Sequence, residues 1–175
     1  MPLIRPCEIP ASALLMKYQD ALGYADCYVT EIPAIVSQAE FVEAFYTTTL
    51  FKFERLILKW FVARPSTDAE AQSLAAGNTM TFAAWRIESR SANQLLMADY
   101  LGRTRSWLMA TPVADPVAGQ NTRLYFGSAV VPHVDSKTGK VTMGFAFHAL
   151  GGFHRLYSRL LLRAASRRLL ATSRE

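Results

Sequence analysis

A chain of 175 residues with 51% hydrophobic and 19% charged side chains has the composition of one globular domain with a sizeable core, which excludes a disordered or fibrous protein. Its net charge of +5 sits in one place, since six Arg and one Glu follow Gly151 while the preceding 150 residues balance 13 basic against 13 acidic side chains. No stretch reaches the ~18 uninterrupted apolar residues of a membrane-spanning helix, and residues 1–6 lack the apolar core of a secretory signal, so a cytoplasmic protein is expected.

Residues 1–24 read as an N-terminal extension, with a short helix predicted over 11–19 and stopped at Gly23. Cys7 and Cys27 have neither a Cys-x-x-Cys spacing nor a nearby His, which argues against a disulfide framework or a metal cluster and leaves two reduced thiols. Residues 27–32 alternate as a strand, with Tyr28, Thr30 and Ile32 on one face and Pro33 closing it. Ser37 and Glu40 form a capping box that opens a helix burying Phe41, Val42, Phe45 and Tyr46, and the Thr47-Thr48-Thr49 run weakens it. A second helix over 50–62 turns Phe53, Leu56, Ile57 and Trp60 inward, and a short helix over 69–76 stops at Gly77-Asn78.

From Thr79 the hydrophobic period becomes two. Strands are predicted over 81–89, 94–101, 106–112 and 122–131, with a turn at 135–140 and a last strand over 141–147. The chain ends in a long helix from Gly151 to Leu170 that buries Phe153, Leu156, Tyr157, Leu160, Leu161 and Ala164. Arg155, Arg159, Arg163 and Arg167 recur every four residues as a cationic stripe, and Gly151-Gly152 lets the helix approach the sheet closely. The expected fold is α+β in one domain over 1–175: an antiparallel sheet of about six strands wrapped on a long C-terminal helix, with two helices after the first strand.

The strings Ala25-Asp26-Cys27-Tyr28-Val29-Thr30-Glu31-Ile32-Pro33, Arg105-Ser106-Trp107-Leu108, Thr122-Arg123-Leu124-Tyr125-Phe126-Gly127-Ser128 and Gly151-Gly152-Phe153-His154-Arg155-Leu156-Tyr157 carry a resemblance in their order and spacing. From about Gly23 onward the chain resembles the START-like helix-grip superfamily, also called SRPBCC, and within it uncharacterised bacterial proteins. The resemblance implies a cavity between helix and sheet, used across the superfamily for apolar molecules and occasionally for catalysis.

Strand residues facing that helix would line the cavity. Trp85, Met97, Trp107, Met109, Tyr125 and Phe145 are chosen as its apolar wall, although both faces of 94–101 are apolar and the same side chains would serve as ordinary core. Asp99, Arg86 and Arg105 stand among apolar strand neighbours and need partners if buried. Asp99, Arg86 or Tyr125 would orient a ligand, with an exposed ion pair as the plainer alternative. His133, His148 and His154 lie fifteen and then six residues apart, which matches no compact metal motif, so neither metal nor cofactor is expected. His148 falls at the predicted strand-to-helix junction and His154 in the first helical turn, where a neutral imidazole is favoured. Ser128 lacks the flanks of a nucleophile elbow.

The favoured reading is a binder of a small apolar or amphipathic molecule. The alternatives are an enzyme of the same fold, a cyclase, hydratase or hydrolase using Asp99 or His148, and an interaction module using the arginine helix on an acidic partner or membrane surface. Nucleic acid is not an expected partner, because the rest of the chain is neutral and carries no recognisable module.

Overall fold

The computed structural model describes residues 2–19, 24–52, 66–115, 119–134, 141–142 and 144–173, and at 115, 119, 133–134, 141–142 and 144–154 it describes the backbone alone. Strands β1 (Arg5–Pro6), β2 (Tyr24–Ile32), β3 (Thr81–Phe82), β4 (Trp85–Ser91), β5 (Gln94–Asp99), β6 (Thr104–Asp115) and β7 (Gly119–Val130) form one sheet. Its order is β1-β2-β7-β6-β5-β4-β3, with every pairing antiparallel. A separate hairpin joins β8 (His133–Val134) to β9 (Val141–Thr142). The protein is thus α+β, with a seven-stranded sheet and a long C-terminal helix.

Two strands differ from the expected pattern. The stretch 81–89 is broken at Ala83, whose φ of 51° turns the chain so that Phe82 pairs with Trp85. A positive φ at a residue with a Cβ is uncommon, and Ala-Ala carries no turn chemistry, so alternation alone ran straight through it. The predicted strand 141–147 survives only as Val141–Thr142, and the final helix begins at Gly144. Val141 and Thr142 are the only β-branched residues there. Beyond them Phe145, Ala149 and Gly152 also fit a helical repeat, which wins.

Helix α1 (Gln38–Tyr46) starts at the expected capping box, in which Glu40 N donates to Ser37 Oγ at 3.2 Å and Ser37 N to Glu40 Oε2 at 2.7 Å. It ends where the threonines begin, with Thr47 Oγ1 bonding back to Glu43 O at 2.6 Å. Residues 49–52 are helical, and the rest of the helix predicted over 50–62 lies outside the described residues. Helix α2 (Asp68–Ala76) has a second capping box, Thr67 with Glu70, and stops at Gly77 with φ 82°. Arg90 seals that end by donating to Leu74 O and Ala75 O at 3.0 and 2.6 Å.

Helix α3 (Gly144–Thr172) keeps its arginine stripe in solvent, but its packing face is rotated from the expected one. Ser158, Leu161, Leu162, Ala165, Ser166 and Leu169 are buried, while Leu156 and Leu160 are 57% and 41% exposed. Leucines cover so much of the circumference that apolar periodicity does not choose a face. Small side chains at Ser158, Ala165 and Ser166 do, by letting the helix approach its neighbours; Ser166 Oγ satisfies itself on Arg163 O at 3.0 Å. Gly151-Gly152 lies inside the helix instead of opening it.

Alternation along the strands produces two cores. Leu95, Met97, Leu108, Ala110, Leu124 and Phe126 pack with α1, α2 and α3. Their neighbours Leu96, Trp107, Met109 and Ala129 point to the opposite face, where Ile9, Ala13 and Leu15 cover them. The N-terminal residues are therefore a strap across the back of the sheet, not an appendage. Their predicted helix over 11–19 is only a 3-10 turn at Met16–Tyr18. The strap lies so close that a Cβ on Gly127 would stand 2.6 Å from Leu15 Cδ2 and 3.0 Å from Trp107 Cε3.

Candidate functional site

The residues expected to form one pocket wall are divided between the two faces. Met97 and Trp85 face the helices, Met97 wholly buried and Trp85 at the margin. Trp107, Met109 and Tyr125 belong to the opposite face under the strap. The register explains the division: Trp107 pairs with Leu96 and Ser106 with Met97. A one-residue slip exchanges faces, and no local pattern fixed the slip between two strands apolar on both sides. Arg86 is exposed on β4. Asp99 is a turn cap at the end of β5, its Oδ1 accepting from the Arg103 and Thr104 N–H groups at 2.6 and 2.9 Å across a turn in which Gly102 takes φ 68°. Phe145 stands on α3 and not on a strand. His148 and His154 fall in the second and third turns of that helix, so neither is at its start, and their side chains lie outside the described residues.

Arg105 is buried and fully engaged on the strap side. Its Nε lies 2.5 Å from Glu88 Oε2 and donates to Tyr18 OH at 2.8 Å, while Nη1 donates to Gly102 O. Tyr18 donates to Glu88 Oε1 at 2.5 Å, and Lys17 Nζ stands 2.6 Å from the same oxygen. Burial alone would raise the Glu88 carboxyl, but the hydrogen bonds from Lys17 and Tyr18 and the Arg105 charge outweigh it and hold it below its ordinary value. Burial, reinforced by Glu88, raises the Tyr18 phenol. This cluster fastens the strap to a bulge of β4, where the register shifts between Ile87 and Ser89.

A different set of polar groups converges on the helix-facing side. Asp26, Ser128 and Ser106 sit side by side across β2, β7 and β6, because Asp26 pairs with Ser128 and Ser128 with Ser106. Ser128 Oγ donates to Asp26 Oδ1 at 2.5 Å, and Tyr24 and Tyr28 donate to Oδ2 at 3.2 and 3.3 Å. Tyr46 OH from α1 lies 3.4 Å from Ser106 Oγ. From α3, Arg155 Nε donates to Tyr24 OH at 3.3 Å, and the Arg159 guanidinium lies over the Tyr28 ring at 5.5 Å. Burial, and then the negative charge of Asp26, push the Tyr28 phenol up to about 12, and burial raises Tyr24 as well. Both phenols therefore keep their protons at neutral pH and remain donors. Phe126, Leu108 and Met97 adjoin this row on the same face, so a carboxylate and several hydroxyls meet an apolar surface. A strand predicted to begin at 27 left Asp26 out of view. Its signal was one acid between two tyrosines at alternate positions, Tyr24-x-Asp26-x-Tyr28.

A groove of about 300 Å³ runs between α1 and the end of α3, lined by Glu40, Glu43, Arg168 and Leu169 among others. It is open and charged, and lies apart from the helix-facing row. Among the described residues no three His, Cys, Asp or Glu side chains gather as metal ligands, and no helix is long and apolar enough to cross a membrane. In comparisons with known proteins, no family model, no curated protein and no solved structure matches the chain.

Proposed function

We propose that the protein is a cytoplasmic, START-like helix-grip binder that takes a small amphipathic molecule between the sheet and the C-terminal helix. The observation that carries this reading is the convergence of Ser128, Tyr24 and Tyr28 on Asp26 within an otherwise apolar helix-facing surface. An apolar wall with a few convergent polar anchors is the usual make-up of a ligand site. A ligand hydroxyl would donate to the Asp26 carboxylate and accept from a tyrosine, and its apolar body would lie against Met97 and Phe126. Of the two groups named for the enzyme alternative, Asp99 has its Oδ1 engaged by two backbone N–H groups, which favours the binder.

Thermal shift against fatty acids, sterols and aromatic alcohols tests the reading. A ligand at about 100 times its dissociation constant adds roughly 2.7 kcal/mol of stability. The upward shift should shrink in Asp26→Asn, which keeps shape and removes the charge. A flat response across the panel overturns it.

A second reading is favoured by the exposed face of α3, where Leu156 and Leu160 lie among Arg159, Arg163 and Arg167. Exposed leucines within a cationic stripe suit the surface of an anionic bilayer. Flotation with vesicles containing phosphatidylserine should recover the protein at low salt and lose it as salt rises; equal recovery on neutral vesicles refutes it.

A further inference from the structure

We infer that Cys7 and Cys27 form a dithiol–disulfide site, which a low-molecular-weight disulfide of the glutathione type oxidises to a cross-link between the N-terminal strap and β2. The pairing of Arg5 with Val29 and of Pro6 with Tyr28 brings Cys7 opposite Cys27 in the next position. Cys7 N donates to Cys27 O at 3.0 Å, and the two sulfurs share a hydrogen bond at 3.2 Å. Directly opposed residues of antiparallel strands have Cα atoms about 4.5–5.5 Å apart, inside the roughly 4.4–6.8 Å that a disulfide spans. Side-chain rotation therefore closes the bond with the backbone in place. Both cysteines are thiols in this structure.

The two sulfurs divide the work by exposure. Cys7 is half-buried and reachable, while Cys27 is buried against the strap side of the sheet. Cys27 stabilises the Cys7 thiolate by hydrogen bonding, and the Arg5 and Arg123 charges add to this, so the Cys7 thiol is lowered against the effect of burial. The same hydrogen bond, together with burial, raises Cys27. Cys7 thiolate attacks one sulfur of the external disulfide, forming a mixed disulfide and releasing one thiolate. Cys27 then gives up its proton and attacks Cys7 Sγ, releasing the second. Two protein thiols are oxidised by two electrons, and the external disulfide is reduced to two thiols.

The bond would close a loop over residues 7–27 that carries the contacts of the strap: Ile9, Ala13 and Leu15 on the sheet, the Ser12 carbonyl accepting from Gln94 Nε2, and Lys17 and Tyr18 on Glu88. Oxidation thus fixes the strap covalently at the end where only two residues pair.

The test incubates the folded full chain with oxidised glutathione, quenches with an alkylating agent and maps peptides without reduction. The wild type should lose two hydrogens, fall from two alkylated cysteines to none, and yield one linked peptide joining Cys7 to Cys27. Cys27→Ser should instead retain glutathione on Cys7, and Cys7→Ser should leave Cys27 unmodified. A wild-type chain that keeps a stable glutathione adduct, or two alkylatable thiols, overturns the assignment. The wild-type map decides this even if either serine variant folds poorly.

Discussion

Trp107→Ala will lower the free energy of unfolding by about 3–5 kcal/mol, and hydrogen exchange will show residues 7–18 losing protection before the rest of the chain. The indole is wholly buried and is the largest side chain of the core beneath the strap. Its Nε1 donates to Gln94 Oε1 at 2.9 Å, and that oxygen also accepts the Leu14 N–H at 2.8 Å. Gln94 Nε2 in turn donates to Ser12 O at 3.0 Å. Removing the ring opens a cavity where Leu15 rests and removes one of the two donors that fix Gln94. Trp107→Phe should cost less, about 1–3 kcal/mol, because it fills most of the space and loses mainly the hydrogen bond. Urea unfolding followed by circular dichroism measures both. A loss below about 1 kcal/mol for alanine would mean that the strap is not seated on this face.

What could be read from the sequence follows from how local each signal is. Capping boxes span four residues, and Ser37–Glu40 opened its helix where expected. The strands expected over 106–112 and 122–131 fall largely within β6 and β7, which pair along their length. Facing and register are not local. The wall of Trp107, Met109 and Tyr125 belongs to the strap because β5 is apolar on both faces, and only the pairing of Leu96 with Trp107 decides the side. The strap itself escaped notice because it has almost no secondary structure, and Gln94 and Glu88 hold it through contacts 70 to 82 residues apart in sequence. The neighbouring cysteines were hidden for the same reason, being 20 residues apart with no motif between them. On α3 the cationic stripe was legible because four arginines at one spacing define a line, whereas leucines on most sides do not define a face.

Phe45→Ala is the matching perturbation on the helix side, with an expected loss of about 3–5 kcal/mol. Phe45 is almost fully buried on α1, and its ring centroid lies 4.8 Å from Phe126 on β7, 5.3 Å from Tyr46, and 6.2 Å from both Phe41 and Phe51. It joins the helix to β7, while Tyr46 and Phe51 make the contact to Phe82 on β3. Alanine there leaves an aromatic cage that collapses poorly, so near-ultraviolet circular dichroism should weaken along with stability. Because Phe45 and Trp107 pack on opposite faces of the sheet, their effects should be independent. The milder pair Phe45→Leu and Trp107→Phe keeps the double variant folded and should add to within about 0.5 kcal/mol. Trp107→Phe combined with Gln94→Leu should not add, since both changes remove the same hydrogen bond. Coupling of 1 kcal/mol or more across the sheet, against none between Trp107 and Gln94, would contradict a domain built as two cores on one sheet.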